Sequence, residues 1–137
     1  MLSRRAALVF GVADVLTALA IFVGVFVGLP ARWPAVDVPA FVLIVGHVVS
    51  AAGLISAARW GRSFARATAG AALAVGVALA TTLALTVAWL RGVYGPVGAG
   101  GAVIFALVAA LVLPYLVALP AVKVIWLARA DGERQRE

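Results

Sequence analysis

Cysteine is absent from this 137-residue chain, which excludes disulfide scaffolds, thiolate metal sites and cysteine nucleophiles. Histidine occurs once, at His47, and only five residues carry a carboxylate. That donor set is too thin for most metalloenzyme designs unless a homo-oligomer pools its ligands, so no metal and no other cofactor is expected. Charge is scarce as well. Charged residues make up 12% of the chain and apolar residues 66%, against about 25% and about 45–50% in an ordinary soluble domain. A compact core of this length cannot bury so large an apolar fraction, and the mean hydropathy of +1.17 excludes a water-soluble reading. The net charge of +6 does not point to nucleic acid, because the arginines fall in short clusters between apolar runs.

Four such runs dominate, over residues 6–29, 39–58, 67–90 and roughly 101–127. About 20 apolar residues cross a bilayer core as a helix, at about 1.5 Å each. Each run is long enough, and the first, third and fourth have residues to spare, which implies tilt or kinks. Backbone groups in lipid must be satisfied within their own segment, and the short alternating segments of a strand barrel are missing. The expected fold is therefore all-α: one domain over residues 1–137, built as an antiparallel bundle of four transmembrane helices. The connections (30–38, 59–66 and 91–100) and the tail (129–137) are too short to fold as soluble modules.

Basic residues set the expected orientation. Arg4, Arg5, Arg59, Arg62, Arg66, Lys123, Arg129, Arg134 and Arg136 collect on one side, with Arg32 and Arg91 on the other. This positive-inside asymmetry puts both termini in the cytoplasm. Trp33 and Trp89 then fall at the outer boundary and Trp60 and Trp126 at the inner one, where amphipathic rings are favoured. The basic start followed by Ala18–Leu19–Ala20 has the letters of a cleaved signal. The apolar run continues to Leu29, however, beyond a signal's core of about 7–15 residues, and it reads as a membrane anchor. Abundant Ala, Val, Leu, Gly and Arg suit a high-GC bacterial genome, and the expected location is the inner, cytoplasmic membrane as a multi-pass protein.

Few residues can carry chemistry. Asp14 lies eight positions after Ala6, about 12 Å into the membrane at about 1.5 Å per residue. A carboxylate there costs several kcal/mol and marks a functional site by default. It shares a small-residue face with Gly11, Ala18, Gly24 and Gly28. His47 lies eleven positions before Ala58, which sets it within about 5 Å of Asp14 in depth if the first two helices form an antiparallel hairpin. The two residues form the candidate proton or substrate site, because an imidazole changes charge near neutral pH. Ser50, Thr82 and Tyr115 are candidate supporting polar residues. Asp14, His47 and Ser50 spell a hydrolase triad in letters only, since no nucleophile-elbow pattern surrounds Ser50.

Other residues read as packing or anchoring devices. Ala72, Gly76, Ala80, Ala84 and Ala88 repeat at every fourth position, a ridge of the kind that lets helices approach closely, and Gly24 with Gly28 makes a second such pair. Pro114 and Pro120 each remove an amide donor inside the fourth helix and disturb the carbonyl four residues earlier. Lys123 reads as a snorkelling anchor, and Arg59, Arg62 and Arg66 as contacts to anionic lipid headgroups. The glycine-rich stretch 92–101 lacks the Lys-Ser/Thr of a phosphate loop and reads as a flexible turn.

Two functions fit these features. The first is a non-enzymatic subunit or scaffold of a homo- or hetero-oligomeric membrane complex, whose contacts are the lipid bilayer and partner chains. The second is a small proton-coupled transporter or channel with Asp14 as the intramembrane acid. Ala13–Asp14–Val15–Leu16–Thr17, with Arg32–Trp33–Pro34 beyond it, resembles the first helix of the small multidrug resistance transporters. The resemblance implies how Asp14 would work, since those four-helix proteins have an essential membrane-embedded acid in their first helix. It departs at the acid itself, Asp rather than Glu, and the proline and aromatic signatures of that family's later helices are missing.

Overall fold

The computed structural model describes residues 4–134, and every regular element among them is helical. Four helices are long and apolar enough to cross a membrane: α1 Arg4–Val27, α2 Pro34–Ile55, α3 Gly61–Pro96 and α4 Gly98–Arg129. This is the architecture of a multi-pass membrane protein. Of the basic residues counted above, Arg136 lies outside the described part.

The helices start and stop where local chemistry permits. Trp33 is extended, with φ −127°, and Pro34 opens α2, a position where the missing proline N–H would have had no partner anyway. The Trp33 carbonyl accepts from the N–H groups of Val36 and Asp37, both at 2.8 Å. Helix α2 therefore starts well before the expected residue 39, and Pro39 lies inside it. Helix α3 begins at Gly61 and carries Arg62 and Arg66 on its first turns, so most of the expected loop 59–66 is helix. Arginine is a good helix former, and its charge marks contact with water or headgroups rather than a break in structure. At the far end, Arg91–Tyr94 remain helical and the expected long turn shrinks to a sharp break at Gly95, with φ +53° and ψ −131°. Only glycine adopts that backbone without strain.

Two stretches widen into π-helix, Phe22–Val27 and Pro114–Ala118. In the second, the Leu119 N–H reaches back to the Pro114 carbonyl, five residues away. The wide turn begins at the proline, whose ring and missing N–H disrupt the ordinary ladder. After the first, the guanidinium of Arg32 donates to the Val25 carbonyl at 3.2 Å and to the Phe26 carbonyl, and lies 5.2 Å from the centre of the Phe26 ring. A cation here satisfies carbonyls that a helix end leaves bare and complements the helix dipole.

The chain divides into two compact units, Met1–Ala71 with Lys123–Glu137, and Ala72–Val122. In the first, Gly11, Asp14, Thr17 and Ala18 of α1 are buried, as are Ala40, Leu43, His47, Ser50, Ala51 and Leu54 of α2. Both sets recur about every three to four residues, with Ala18 and Ala51 flanking the stripe, which is one face of each helix. Gly11 lies against Ala51 and Ile55 while Asp14 meets His47 and Ser50, so the two helices run antiparallel. Glycine permits the approach at position 11, because a Cβ there would be 2.7 Å from Ile55 Cγ1. Leu54, Ala65 and Leu127 close the apolar core with Phe10 against it, and the Phe10 and Trp126 rings meet edge to face at 5.6 Å.

In the second unit, Gly76 packs against the Leu116 backbone, and a Cβ would overlap the Leu116 carbonyl. Of the small-residue ridge, Ala72 and Gly76 are buried, Ala80 is half-buried, and Ala84 and Ala88 are exposed. Gly24 and Gly28 of the first unit are exposed too. Nothing lies near a Cβ built at Gly24, and one at Gly28 meets only carbonyl groups of its own chain at Val23 and Gly24. Large apolar side chains such as Val9, Leu16, Phe41, Val42 and Leu85 point outward, as a lipid-facing surface requires.

Candidate functional site

The buried face of the first unit carries a polar cluster built from three helices. Helix α1 contributes Asp14, α2 contributes His47 and Ser50, and α4 contributes Lys123. His47 and Ser50 are three residues apart and therefore share a helix face. Relative exposure is 3% for Asp14, 3% for His47, 0% for Ser50 and 4% for Lys123, so the cluster is closed to the surface.

Its connections account for almost every polar atom. Asp14 Oδ1 is 3.0 Å from His47 Nδ1. Asp14 Oδ2 accepts from Ser50 Oγ at 2.5 Å and from the Lys123 ammonium, with which it forms an ion pair. Lys123 also donates to Ser50 Oγ at 3.0 Å. One negative and one positive charge are thus buried together, with hydrogen bonds on both, the condition under which burial of charge is tolerable. A carboxylate only accepts, so His47 Nδ1 bears the proton of that contact. In the neutral ring Nε2 is then the unprotonated nitrogen. It is buried and has no hydrogen-bond partner among the described residues.

Of the residues expected from sequence to carry chemistry, the structure brings together Asp14, His47 and Ser50. Thr82 belongs to the other unit, where it donates to the Ala78 carbonyl of its own helix at 2.9 Å, and Tyr115 is exposed there in the wide turn of α4. The residue that sequence reasoning missed is Lys123. Read as a headgroup anchor, it is instead turned inward onto Asp14, because the carboxylate offers its ammonium a buried partner. Thr17 is also buried, one turn from Asp14, but its hydroxyl is committed to the Ala13 carbonyl at 2.8 Å.

Asp14, His47 and Ser50 are not arranged as a Ser-His-Asp triad. A triad needs its base against the nucleophile, yet His47 and Ser50 each bond Asp14. The Ser50 hydroxyl donates a hydrogen bond to the carboxylate and accepts one from Lys123, so its fully buried oxygen is committed to the cluster. Among the described residues, no group of three or more His, Cys, Asp or Glu side chains could hold a metal ion. Comparisons with protein-family models, with curated proteins and with solved structures found no match to this chain.

Proposed function

We propose that this chain is a non-enzymatic integral membrane protein, a subunit or scaffold of a homo- or hetero-oligomeric complex, in which the Asp14 cluster clamps three helices in register. The observation that carries this reading is the charge-neutral closure of the cluster: one carboxylate takes donors from α2 and α4 and leaves no net charge in the interior. A buried pair of this kind specifies which helix faces meet rather than adding much net stability. The positive-inside asymmetry supports a cytoplasmic-side location for both termini in an inner membrane.

A second reading rests on a single atom. His47 Nε2, buried and unpartnered, is a base hydrogen-bonded through its ring to an intramembrane carboxylate, the arrangement a proton relay requires. Liposomes containing a pH-sensitive dye separate the two. The clamp predicts that wild-type protein carries no proton flux above empty liposomes, and that Asp14→Asn weakens assembly. Flux through the wild type that vanishes in a folded Asp14→Asn/Lys123→Met variant would replace the clamp with a carrier.

A further inference from the structure

We infer that the chain binds one anionic phospholipid of the surrounding bilayer at the turn between α2 and α3, in a site separate from the Asp14 cluster. A cavity of about 280 Å³ opens there, bounded by the start of α1, the end of α2 and the start of α3. Its two charged lining residues are Arg4 and Arg62, and its walls include Leu8, Leu54, Ile55 and Ala57. No acidic residue occurs in the segments that form it, 4–8 and 53–62.

The chemistry of that lining selects its occupant. Two guanidinium groups suit a phosphodiester, which accepts their planar forks of N–H donors. The apolar walls suit the hydrocarbon next to it, and a water-soluble phosphate would leave them uncovered. The volume is near the lower end for ligand pockets, about 300 Å³, enough for a phosphate-bearing headgroup and its first methylenes. The cavity also lies at the ends of membrane-spanning helices, where a bilayer presents that part of a lipid. Sequence reasoning grouped Arg62 with Arg59 and Arg66 as headgroup contacts. The geometry pairs it instead with Arg4, 58 positions away in the chain, around a defined cavity. This inference stands whether the polar cluster is a clamp or a carrier.

The test is native mass spectrometry of the full chain released from nanodiscs containing equal parts of phosphatidylglycerol and phosphatidylcholine. The expected result is one retained phosphatidylglycerol per chain. Two cation–headgroup contacts removed together, in Arg4→Gln/Arg62→Gln, should weaken that retention by about thirtyfold. Arg5→Gln/Arg59→Gln removes the same charge from positions outside the cavity lining and should leave retention nearly intact. Leu8→Trp, which fills the cavity without changing charge, should also displace the lipid. Equal retention of both lipids would show that no anionic headgroup is selected, and an equal loss from both arginine pairs would reduce the site to general surface electrostatics; either result overturns the proposal. Displacement by glycerol phosphate as effectively as by the lipid would assign the cavity to a soluble phosphate and overturn it too.

Discussion

Lys123→Met is expected to lower the stability of the folded protein by about 3–5 kcal/mol, the usual cost of removing one partner of a buried ion pair. The change keeps much of the side-chain volume and removes only the ammonium, so the penalty falls on Asp14, left 3% exposed with a negative charge and no counter-ion. Ser50 loses the donor at 3.0 Å and can still give its own proton to the carboxylate. The double variant Asp14→Asn/Lys123→Met should recover most of the loss, since no uncompensated charge remains: the amide oxygen can accept from His47 Nδ1, and the amide NH2 can donate to Ser50 Oγ, which has lost Lys123 as a donor. Denaturant titration in mild detergent reads both effects, and the coupling between the two positions follows from the double-mutant cycle. The same logic applies to the imidazole, for which Asp14→Ala alone should cost more than Asp14→Ala together with His47→Ala. Losses that simply add at either pair would show that the contacts carry no energy, and the clamp would be abandoned.

The unequal legibility of this cluster has a physical cause. In a soluble helix the apolar stripe marks the inward face, because the other face must satisfy water. A membrane helix is apolar all round, so periodicity no longer tells core from lipid. What survives is depth, which chain position gives directly. Asp14 and His47 could be matched because each has a countable distance from a helix end, and Ser50 followed on the same face. Lys123 had a depth as well, six residues before Arg129 and therefore about 9 Å from that end. That distance is close to the reach of a snorkelling side chain, and the anchor reading absorbed it. The overlooked signal was charge balance: an acid inside a helix needs a cation, and the chain's single lysine stands inside another.

Helix limits show the same asymmetry. The existence of four spans was legible because length and apolarity determine it. Their ends were not, because Arg62, Arg66 and Arg91 read as loop residues while the backbone continued through them as helix. Glycines divide in the same way. Spacing nominated Gly24, Gly28 and Gly76, but close approach depends on which face meets a neighbour. Gly76 packs on the Leu116 backbone and Gly24 has nothing near it, while Gly53 and Gly61, which spacing did not nominate, pack on each other.

The turn between α2 and α3 should respond in opposite directions to two small substitutions. Gly61→Ala is expected to destabilise by about 2–3 kcal/mol, because overpacking against backbone has no flexible side chain to yield. A Cβ at Gly61 would overlap the Gly53 carbonyl, and one at Gly53 would lie 2.9 Å from Gly61 Cα and 2.8 Å from the Trp60 ring. The two glycines are thus mutually required where the end of α2 crosses the start of α3. Four residues earlier the situation reverses. Ala57 is held at φ +54°, a left-handed backbone that costs a residue with a Cβ about 1–2 kcal/mol. Ala57→Gly removes that cost while adding unfolded-chain entropy worth about 0.4–1 kcal/mol, so its net effect should be neutral to about 1 kcal/mol stabilising. Thermal unfolding of both variants in one detergent measures the contrast. The cost at Gly61 reflects backbone crowding and the gain at Ala57 reflects torsional strain, and neither depends on the polar cluster. Gly61→Ala at wild-type stability would mean that the two helix ends do not cross at this distance. A clear loss in Ala57→Gly would mean that the turn does not hold residue 57 in the left-handed region.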